Sequence, residues 1–109
     1  MYPICIAAVR GDYKKCVDIL LQHGANIHCQ FCNGWSLMHE VACLGNTTMA
    51  SHLLDMGASL DLADDFGIKP VFTAAQYGRA ECLRLLMERG NLENVCQCLQ
   101  SLIRNTSNL

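Results

Sequence analysis

Apolar residues recur along the chain at helical spacing, in short segments that are separated by glycine. Residues 37–44 are mostly apolar, Gly45 follows them, and residues 47–55 place further apolar side chains three and four positions apart. This spacing is typical of an amphipathic helix, and glycine often ends a helix. The pattern therefore predicts two consecutive helices over 37–44 and 47–55.

The same pair of segments occurs three times, with a period of 33 residues. Glycine marks the period in three series, which are Gly24, Gly57 and Gly90; Gly34 and Gly67; and Gly45 and Gly78. Corresponding helices are expected over 70–77 and 80–88 in the third unit. Gly11 lies 34 residues before Gly45, which predicts one additional residue in the first unit. Asp12 is expected to cap the second helix of that unit.

The period divides the chain into units at 1–33, 34–66 and 67–90, and it fails from Asn91 onwards. Beyond that point an apolar stripe at helical spacing is formed by Leu92, Val95, Cys96, Leu99, Leu102 and Ile103. A further helix is therefore predicted near 92–104, where it would cover the open end of the preceding units.

Side chains repeat in the same phase as the glycines. Ser-Leu-Met-His-Glu-Val-Ala at 36–42 corresponds to Lys-Pro-Val-Phe-Thr-Ala-Ala at 69–75, and Leu-Leu-x-x-Gly-Ala closes the first two units. Over residues 2–90 these motifs resemble the ankyrin repeat, with its Thr-Pro-Leu-His-x-Ala-Ala-x-x-Gly opening. The resemblance implies an all-α ankyrin-repeat solenoid of about three helix-turn-helix units, with short β-hairpin fingers and a C-terminal helix. Units of this kind bury their apolar faces against one another.

The histidine of the ankyrin pattern is present as His39, while Cys5 and Phe72 take its place in the other units. The resemblance implies that the His39 imidazole bonds to backbone between neighbouring fingers, which is a structural role. His23 and His52 fall outside the pattern and are expected on the surface.

The resemblance also implies a protein partner on the concave face, which fingertips and the exposed side of the inner helices form together. The expected contact residues on the fingers are Phe31, Asn33, Trp35, Asp64, Asp65, Phe66 and Ile68, and those on the helices are Glu40, Cys43, Leu44, Thr73, Gln76 and Tyr77. Aromatic residues dominate interface hot spots, so Phe31, Trp35 and Tyr77 are expected to matter most, with Phe31 exposed at its fingertip. The alternative is that Trp35 and Phe66 pack between adjacent fingers.

Three segments, at 33–40, 64–78 and 80–86, are similar to one subgroup, the ankyrin repeat and SOCS box family. Its members are substrate-recognition subunits of cullin–RING ubiquitin ligases, and their C-terminal SOCS box holds elongins B and C and the cullin. Leu92 and Cys96 match the Leu-x-x-x-Cys core of that box by spacing, whereas Asn91 and Gln100 depart from it. Elongins B and C and a cullin are therefore expected as partners only if a SOCS box is functional.

Composition and charge narrow the range of partners. The 109 residues carry a net charge of −2, and basic residues cluster only at Arg10, Lys14 and Lys15, so no nucleic-acid partner is expected. No apolar run approaches the roughly 18 residues that a membrane-spanning helix needs, and no secretory signal is seen. A cytoplasmic or nuclear protein that binds no membrane is expected.

Eight cysteines raise the question of metal or disulfide chemistry. Four fall at helical positions, where reduced thiols are expected to be buried; these are Cys5, Cys16, Cys43 and Cys82. Cys29 and Cys32 form one metal-like pair, but structural zinc usually takes four ligands. No metal and no cofactor are expected, and a zinc-binding regulator is the weakest alternative.

The sequence shows no arrangement of residues that points to catalysis. It has no glycine-rich phosphate loop and no recognisable set of nucleophile, base and orienting group, so an enzyme is not expected. Two hypotheses stand. One is a substrate-binding module of a ubiquitin ligase adaptor, or a truncated form of one. The other is a free-standing ankyrin scaffold or inhibitor without a link to ubiquitin.

Overall fold

The computed structural model describes residues 4–90, which form six α-helices and one short 3-10 turn at Cys32–Gly34. The helices are α1 (Ile4–Arg10), α2 (Lys14–Gln22), α3 (Leu37–Leu44), α4 (Thr47–Asp55), α5 (Pro70–Gln76) and α6 (Ala80–Arg89). The predicted bounds of α3 and α4 are confirmed, and those of α5 and α6 differ from the structure by one residue. The helix predicted near 92–104 lies outside the described residues.

Local features of the sequence explain where α3, α4 and α5 begin. Ser36 Oγ accepts a hydrogen bond from the His39 backbone N–H, and the Ser36 backbone N–H donates in return to His39 Nδ1. The Asn46 side chain accepts from Met49 N at 3.0 Å at the start of α4. Pro70 begins α5, where its missing N–H costs no hydrogen bond. The Ser36 and Asn46 side chains thus satisfy donors that every helix leaves unpaired at its N-terminus.

The three units follow one another at 33 residues without an insertion, so the predicted additional residue in the first unit is wrong. The chain reverses after each inner helix at a left-handed residue, and these residues are Asp12, Gly45 and Gly78, with φ of 60°, 73° and 70°. The hydrogen bonds that close the turns repeat as well: Tyr13 N to Ala8 O, Asn46 N to Val41 O, and Arg79 N to Ala74 O, at 2.9, 3.1 and 2.8 Å.

Asp12 therefore holds the place that glycine holds in the other two units, and it does not cap α2. Tyr13 precedes α2 and provides no side-chain cap. Asp12 Oδ1 instead accepts a hydrogen bond from Asn46 Nδ2 at 2.9 Å, which links the first two units. The corrected alignment also places Ile6, rather than Cys5, at the position of His39.

The helices pack in two layers around one continuous core. The inner helices α1, α3 and α5 lie side by side, and each outer helix packs against the inner helix before it, while α4 also contacts α6. Leu37, Val41, Ala42, Met49 and Leu53 of the central unit are fully buried. The central unit is thus covered on both sides, as stacked repeats require.

The predicted β-hairpin fingers are tight turns rather than paired strands. Among the described residues the first finger has one isolated antiparallel bridge, between Gln30 and Ser36. The second finger is closed by the backbone bond from Asp64 N to Ile68 O, at 2.9 Å.

Burial of the cysteines and of His52 differs in part from expectation. Cys82 is buried as predicted, and Cys43 is half-buried. Cys16 is exposed, although it is equivalent to the buried Met49 and Cys82, because no described unit covers the groove that it lines with Ala8 and Leu20. The burial of Cys5 lies outside what the structure describes. His23 is exposed as predicted. His52 is half-buried, since its Nε2 lies 2.6 Å from Asp18 Oδ1 of the preceding unit.

Candidate protein-binding surface

Two hydrogen bonds join the two described fingers, and a third joins α3 to the second finger. Asp65 N donates to Asn33 O at 2.9 Å, Gln30 Nε2 donates to Ala63 O at 2.7 Å, and His39 Nε2 lies 2.7 Å from Ile68 O. A nitrogen that faces a carbonyl oxygen must carry the proton, so His39 Nε2 is the donor. The expectation that His39 links neighbouring fingers is confirmed.

His39 is held as a neutral imidazole. Its side chain is fully buried, and its Nδ1 accepts from the Ser36 backbone. Burial lowers the pKa of His39 below its ordinary value of 6.5, and this outweighs the raising effects of the Ile68 carbonyl and the Asp64 charge. The residue serves to position the fingers.

The second fingertip presents an aromatic side chain on a fixed loop. The Asp64 carboxylate accepts hydrogen bonds from the backbone N–H groups of Phe66 and Ile68, both at 2.9 Å. Such a side chain stabilises a tight turn, and the turn directs Phe66 outwards, where it is 80% exposed. Asp65 beside it is exposed as well, whereas Ile68 is half-buried.

The first fingertip differs, because its aromatic residues pack inwards. Phe31 and Trp35 are half-buried and pack against the core, and the Trp35 ring lies 5.1 Å from the His39 ring, centroid to centroid. The prediction of an exposed Phe31 is therefore wrong. Asn33 is exposed at this tip, with a left-handed backbone. The alternative for Trp35 and Phe66 was packing between adjacent fingers. Trp35 packs inwards, whereas Phe66 is exposed.

The residues predicted on the helices divide into buried and exposed groups. Glu40 and Thr73 are buried, at 4% and 1% exposure, so the prediction that they lie on the exposed side is wrong. The inner helices pack closely there, and Glu40 Oε1 accepts a hydrogen bond from Arg10 of α1 at 2.7 Å. Cys43 is half-buried. The exposed helix residues are Leu44, Gln76 and Tyr77.

The exposed residues thus form two groups, one at each end of the inner helices. We name Asn33, Asp65 and Phe66 the fingertip group, and Leu44, Gln76 and Tyr77 the helix-end group. In the third unit they lie towards opposite ends of α5, whose seven residues are about 10 Å long. Leu44 and Tyr77 are equivalent positions of consecutive units.

A family model described as ankyrin repeats, in three copies, matches residues 4–105. The chain belongs to the ankyrin repeat family. The ankyrin fold is a non-enzymatic scaffold, and its repeats form protein–protein interaction modules.

The chain is similar in sequence to several different ankyrin-repeat proteins. The human SH3 and multiple ankyrin repeat domains protein 2 is 30% identical over 88 residues, which are 81% of this chain and 5% of that protein. The human ankyrin repeat and SOCS box protein 3 is 44% identical over 48 residues, which are 44% of this chain and 9% of that protein. The chain therefore spans only a small part of these relatives.

A solved structure supports the same fold. The crystal structure of the human ASB11 ankyrin repeat domain superposes with a TM-score of 0.71 at 27% identity. The match covers 82% of this chain and 40% of that one.

Several residues that shape the ankyrin surface were not predicted from the sequence. Gln30 and Arg10 hold neighbouring units together, and Arg79 Nε donates to Cys43 O at 2.9 Å. Their partners lie 33, 30 and 36 residues away in sequence. The sequence signal for them is a pair of polar residues that are separated by about one repeat length.

Within the part of the chain that the structure describes, no three His, Cys, Asp or Glu side chains stand together as metal ligands would. Among residues 4–90 no helix has the length and apolar character needed to span a bilayer.

Proposed function

We propose that this ankyrin domain binds a protein partner through the fingertip and helix-end groups, without catalytic activity or a cofactor. The observation that carries the proposal is Phe66, which is 80% exposed on a backbone fixed by two hydrogen bonds to Asp64. An exposed aromatic residue on a rigid loop gives a large contact area at little cost in conformational entropy. Asp65 adds a negative charge beside it, and Tyr77 a second exposed aromatic ring.

The finer proposal is that the partner is a substrate of a cullin–RING ubiquitin ligase, and that the chain is the substrate-binding segment of an ankyrin repeat and SOCS box adaptor, complete or truncated. The similarity to ankyrin repeat and SOCS box protein 3 and to the ASB11 ankyrin domain supports it. A location in the cytoplasm or nucleus goes with this role. Elongins B and C and a cullin join only through a functional SOCS box.

The second candidate is an ankyrin scaffold or inhibitor without a link to ubiquitin. The similarity to SH3 and multiple ankyrin repeat domains protein 2 favours it, because that match covers 81% of the chain, against 44% for ankyrin repeat and SOCS box protein 3.

The binding surface is tested by substituting its exposed aromatic residue. Proteins captured from cell extract by the wild-type chain are identified, and their affinities are compared with those for Phe66→Ala. We expect a loss of tenfold or more, about 1.4 kcal/mol, with an unchanged melting temperature. Tyr13→Ala is the matched control, since Tyr13 is an exposed aromatic residue of the first unit. Equal affinity of wild type and Phe66→Ala for every captured protein contradicts the proposal.

The ligase role is tested separately, by co-expression with elongins B and C. Retention of both on the purified chain supports the adaptor. A chain that retains neither, yet still captures a partner through Phe66, favours the scaffold or inhibitor.

A further inference from the structure

Two exposed charges of opposite sign accompany the aromatic residues of the candidate surface. Asp65 stands beside Phe66 in the fingertip group, and Arg79 follows Tyr77 of the helix-end group by two residues. Both charged side chains are exposed. The fingertip and helix-end groups lie towards opposite ends of α5 in the third unit. The two charges therefore give the surface a negative end and a positive end.

The guanidinium of Arg79 is held in place and keeps donors for a ligand. Its Nε donates to the Cys43 carbonyl at 2.9 Å. The aliphatic part of the side chain passes over Gly45, since a Cβ built there would lie 2.7 Å from Arg79 Cδ. Within residues 4–90 no carboxylate pairs with this guanidinium. Its two Nη groups are therefore available to a carboxylate, which they can bind with two parallel hydrogen bonds.

Asp65 presents the opposite charge at the other end. Its backbone N–H donates to Asn33 O, whereas its carboxylate forms no ion pair in the part of the chain that the structure describes. Lys69, which follows the same finger, lies 3.9 Å from the Asp61 carboxylate instead. The Asp65 carboxylate therefore remains available to a basic side chain of a partner.

Neither charge recurs at the equivalent positions of the other units. The position of Arg79 is held by Asn46 in the second unit and by Tyr13 in the first, and that of Asp65 is held by Cys32 in the first finger. A strictly repeated surface would offer a partner several equivalent registers. Here only one register brings both charges into use.

We propose that the surface binds an extended peptide segment that places an acidic residue at Arg79 and a basic residue at Asp65. The inference rests on the proposed function, because it assigns the chemistry of that same partner. The helix α5 is about 10 Å long, and an extended chain advances about 3.3 Å per residue. The two charged residues of the segment are therefore at least about three positions apart.

The two charges also set the direction in which the segment lies. A reversed segment would bring its acidic residue to Asp65 and its basic residue to Arg79. Like charges that meet across an interface disfavour the wrong arrangement. Phe66 and Tyr77 supply apolar contacts that either direction could use, so direction depends on the charged side chains.

A displayed library of random twelve-residue peptides provides the probe. Peptides are selected on the full chain and kept only if they bind Phe66→Ala about tenfold more weakly or worse, so that all of them use the candidate surface. In these peptides we expect an acidic and a basic residue in a constant order. Their affinities, measured by fluorescence anisotropy, should fall as the salt concentration is raised.

Charge reversal then identifies which charges meet. Arg79→Glu and Asp65→Lys should each weaken binding by about fivefold or more. Binding to Arg79→Glu should recover when the acidic residue of the peptide becomes lysine, and binding to Asp65→Lys when the basic residue becomes glutamate. The other exchange should not restore binding. Arg84→Glu and Glu81→Lys make the same changes of charge at exposed positions of α6, and they are the matched controls.

A second variant guards against an effect of Arg79 on folding. Arg79→Glu also removes the hydrogen bond to Cys43 O, so melting temperatures are compared. If Arg79→Glu melts lower than wild type, Arg79→Gln replaces it, because an amide keeps a hydrogen-bond donor and removes only the charge. It should weaken binding of the selected peptides, but not of the same peptides with their acidic residue changed to glutamine.

Two results contradict the assigned polarity and leave the proposed function standing. One is a set of Phe66-dependent peptides that bind Arg79→Glu and Asp65→Lys as tightly as they bind the two controls. The other is recovery by either exchange alike. A library in which no peptide depends on Phe66 overturns the proposed function, and this inference with it.

Discussion

His39 shows how one buried side chain fixes the relation between two fingers. Its backbone and Nδ1 complete the cap of α3 with Ser36, and its Nε2 reaches the carbonyl of Ile68 in the next unit. Both contacts require the neutral ring with the proton on Nε2. Protonation would remove the acceptor at Nδ1 and place a charge in the core.

His39 is therefore expected to make stability depend on pH. Because the pKa of His39 is lowered in the folded state, the unfolded chain binds the proton first as the pH falls below 6.5. The free energy of unfolding should then decrease by up to about 1.4 kcal/mol per pH unit, until the folded state is protonated too.

Urea unfolding of wild type and His39→Gln measures this effect. At pH 7.5 the variant should be less stable by about 1–3 kcal/mol, since it loses paired buried hydrogen bonds. At pH 5.5 the difference should be smaller, because only the wild type is destabilised by protonation of this residue. A difference that stays constant or grows on acidification contradicts the assignment.

The Arg10–Glu40 pair is expected to stabilise the junction of the first two units. The Glu40 side chain is 5% exposed and that of Arg10 is 56% exposed. Arg10→Ala should lower the free energy of unfolding by about 1–3 kcal/mol, because it leaves a buried carboxylate without this partner.

Arg84 offers the matched control for that substitution. It forms an exposed pair with Glu81 at 3.7 Å within one helix, and such pairs contribute about 0.5 kcal/mol or less. If urea unfolding shows that Arg10→Ala and Arg84→Ala lower the free energy of unfolding equally, the buried pair has no special role.

At the scale of elements, the packing of the two fingers depends on how closely their backbones approach each other. Gly34 and Gly67 occupy equivalent positions with φ of 76° and 79°. A Cβ at Gly34 would lie 2.9 Å from both Asp65 N and Asp65 Oδ1, while a Cβ at Gly67 meets no described atom within 4 Å.

Alanine substitutions at these two glycines separate backbone strain from finger packing. Both substitutions place a Cβ on a residue with left-handed backbone, which costs about 1–2 kcal/mol. Gly34→Ala should cost about 1–3 kcal/mol more, because it also displaces Asp65 and its bond to Asn33. The free energies of unfolding in urea give the comparison, and similar values for the two variants would show that the close approach is unimportant.

Most elements could be predicted from the sequence, because apolar spacing and glycine mark them directly. The register of the first unit could not, since Gly11 lies beside the left-handed position that Asp12 occupies. A short polar residue tolerates that conformation, and glycine next to it gave a misleading signal.

The candidate surface was less predictable than the helices. Burial of Glu40 follows from the packing of α1 against α3, and the inward packing of Phe31 follows from its contact with the core. The repeat pattern specifies which helix face is turned inwards. It does not specify which of the outward-facing positions are then covered by a neighbouring unit.

At the largest scale, residues 4–90 form a stack in which the central unit contacts both neighbours, through α1 and α5 on either side of α3. Loss of that unit's packing removes support from the other two. With so few units, unfolding should be cooperative rather than sequential.

Trp35, the single tryptophan, tests this cooperativity. In urea, its fluorescence and the far-ultraviolet circular dichroism of all helices should show coincident transitions. Leu53→Ala, in the fully buried centre, should shift both together by about 2–5 kcal/mol. Separate midpoints for the two signals would contradict a single unfolding unit.

The bond from Asp65 N to Asn33 O joins main chain to main chain. The side chains of Phe66, Gln76 and Tyr77 take no part in it. Phe66, Gln76 and Tyr77 could be randomised together without loosening the frame that spaces them. The domain should accordingly serve as a scaffold for selecting new specificities from a combinatorial library.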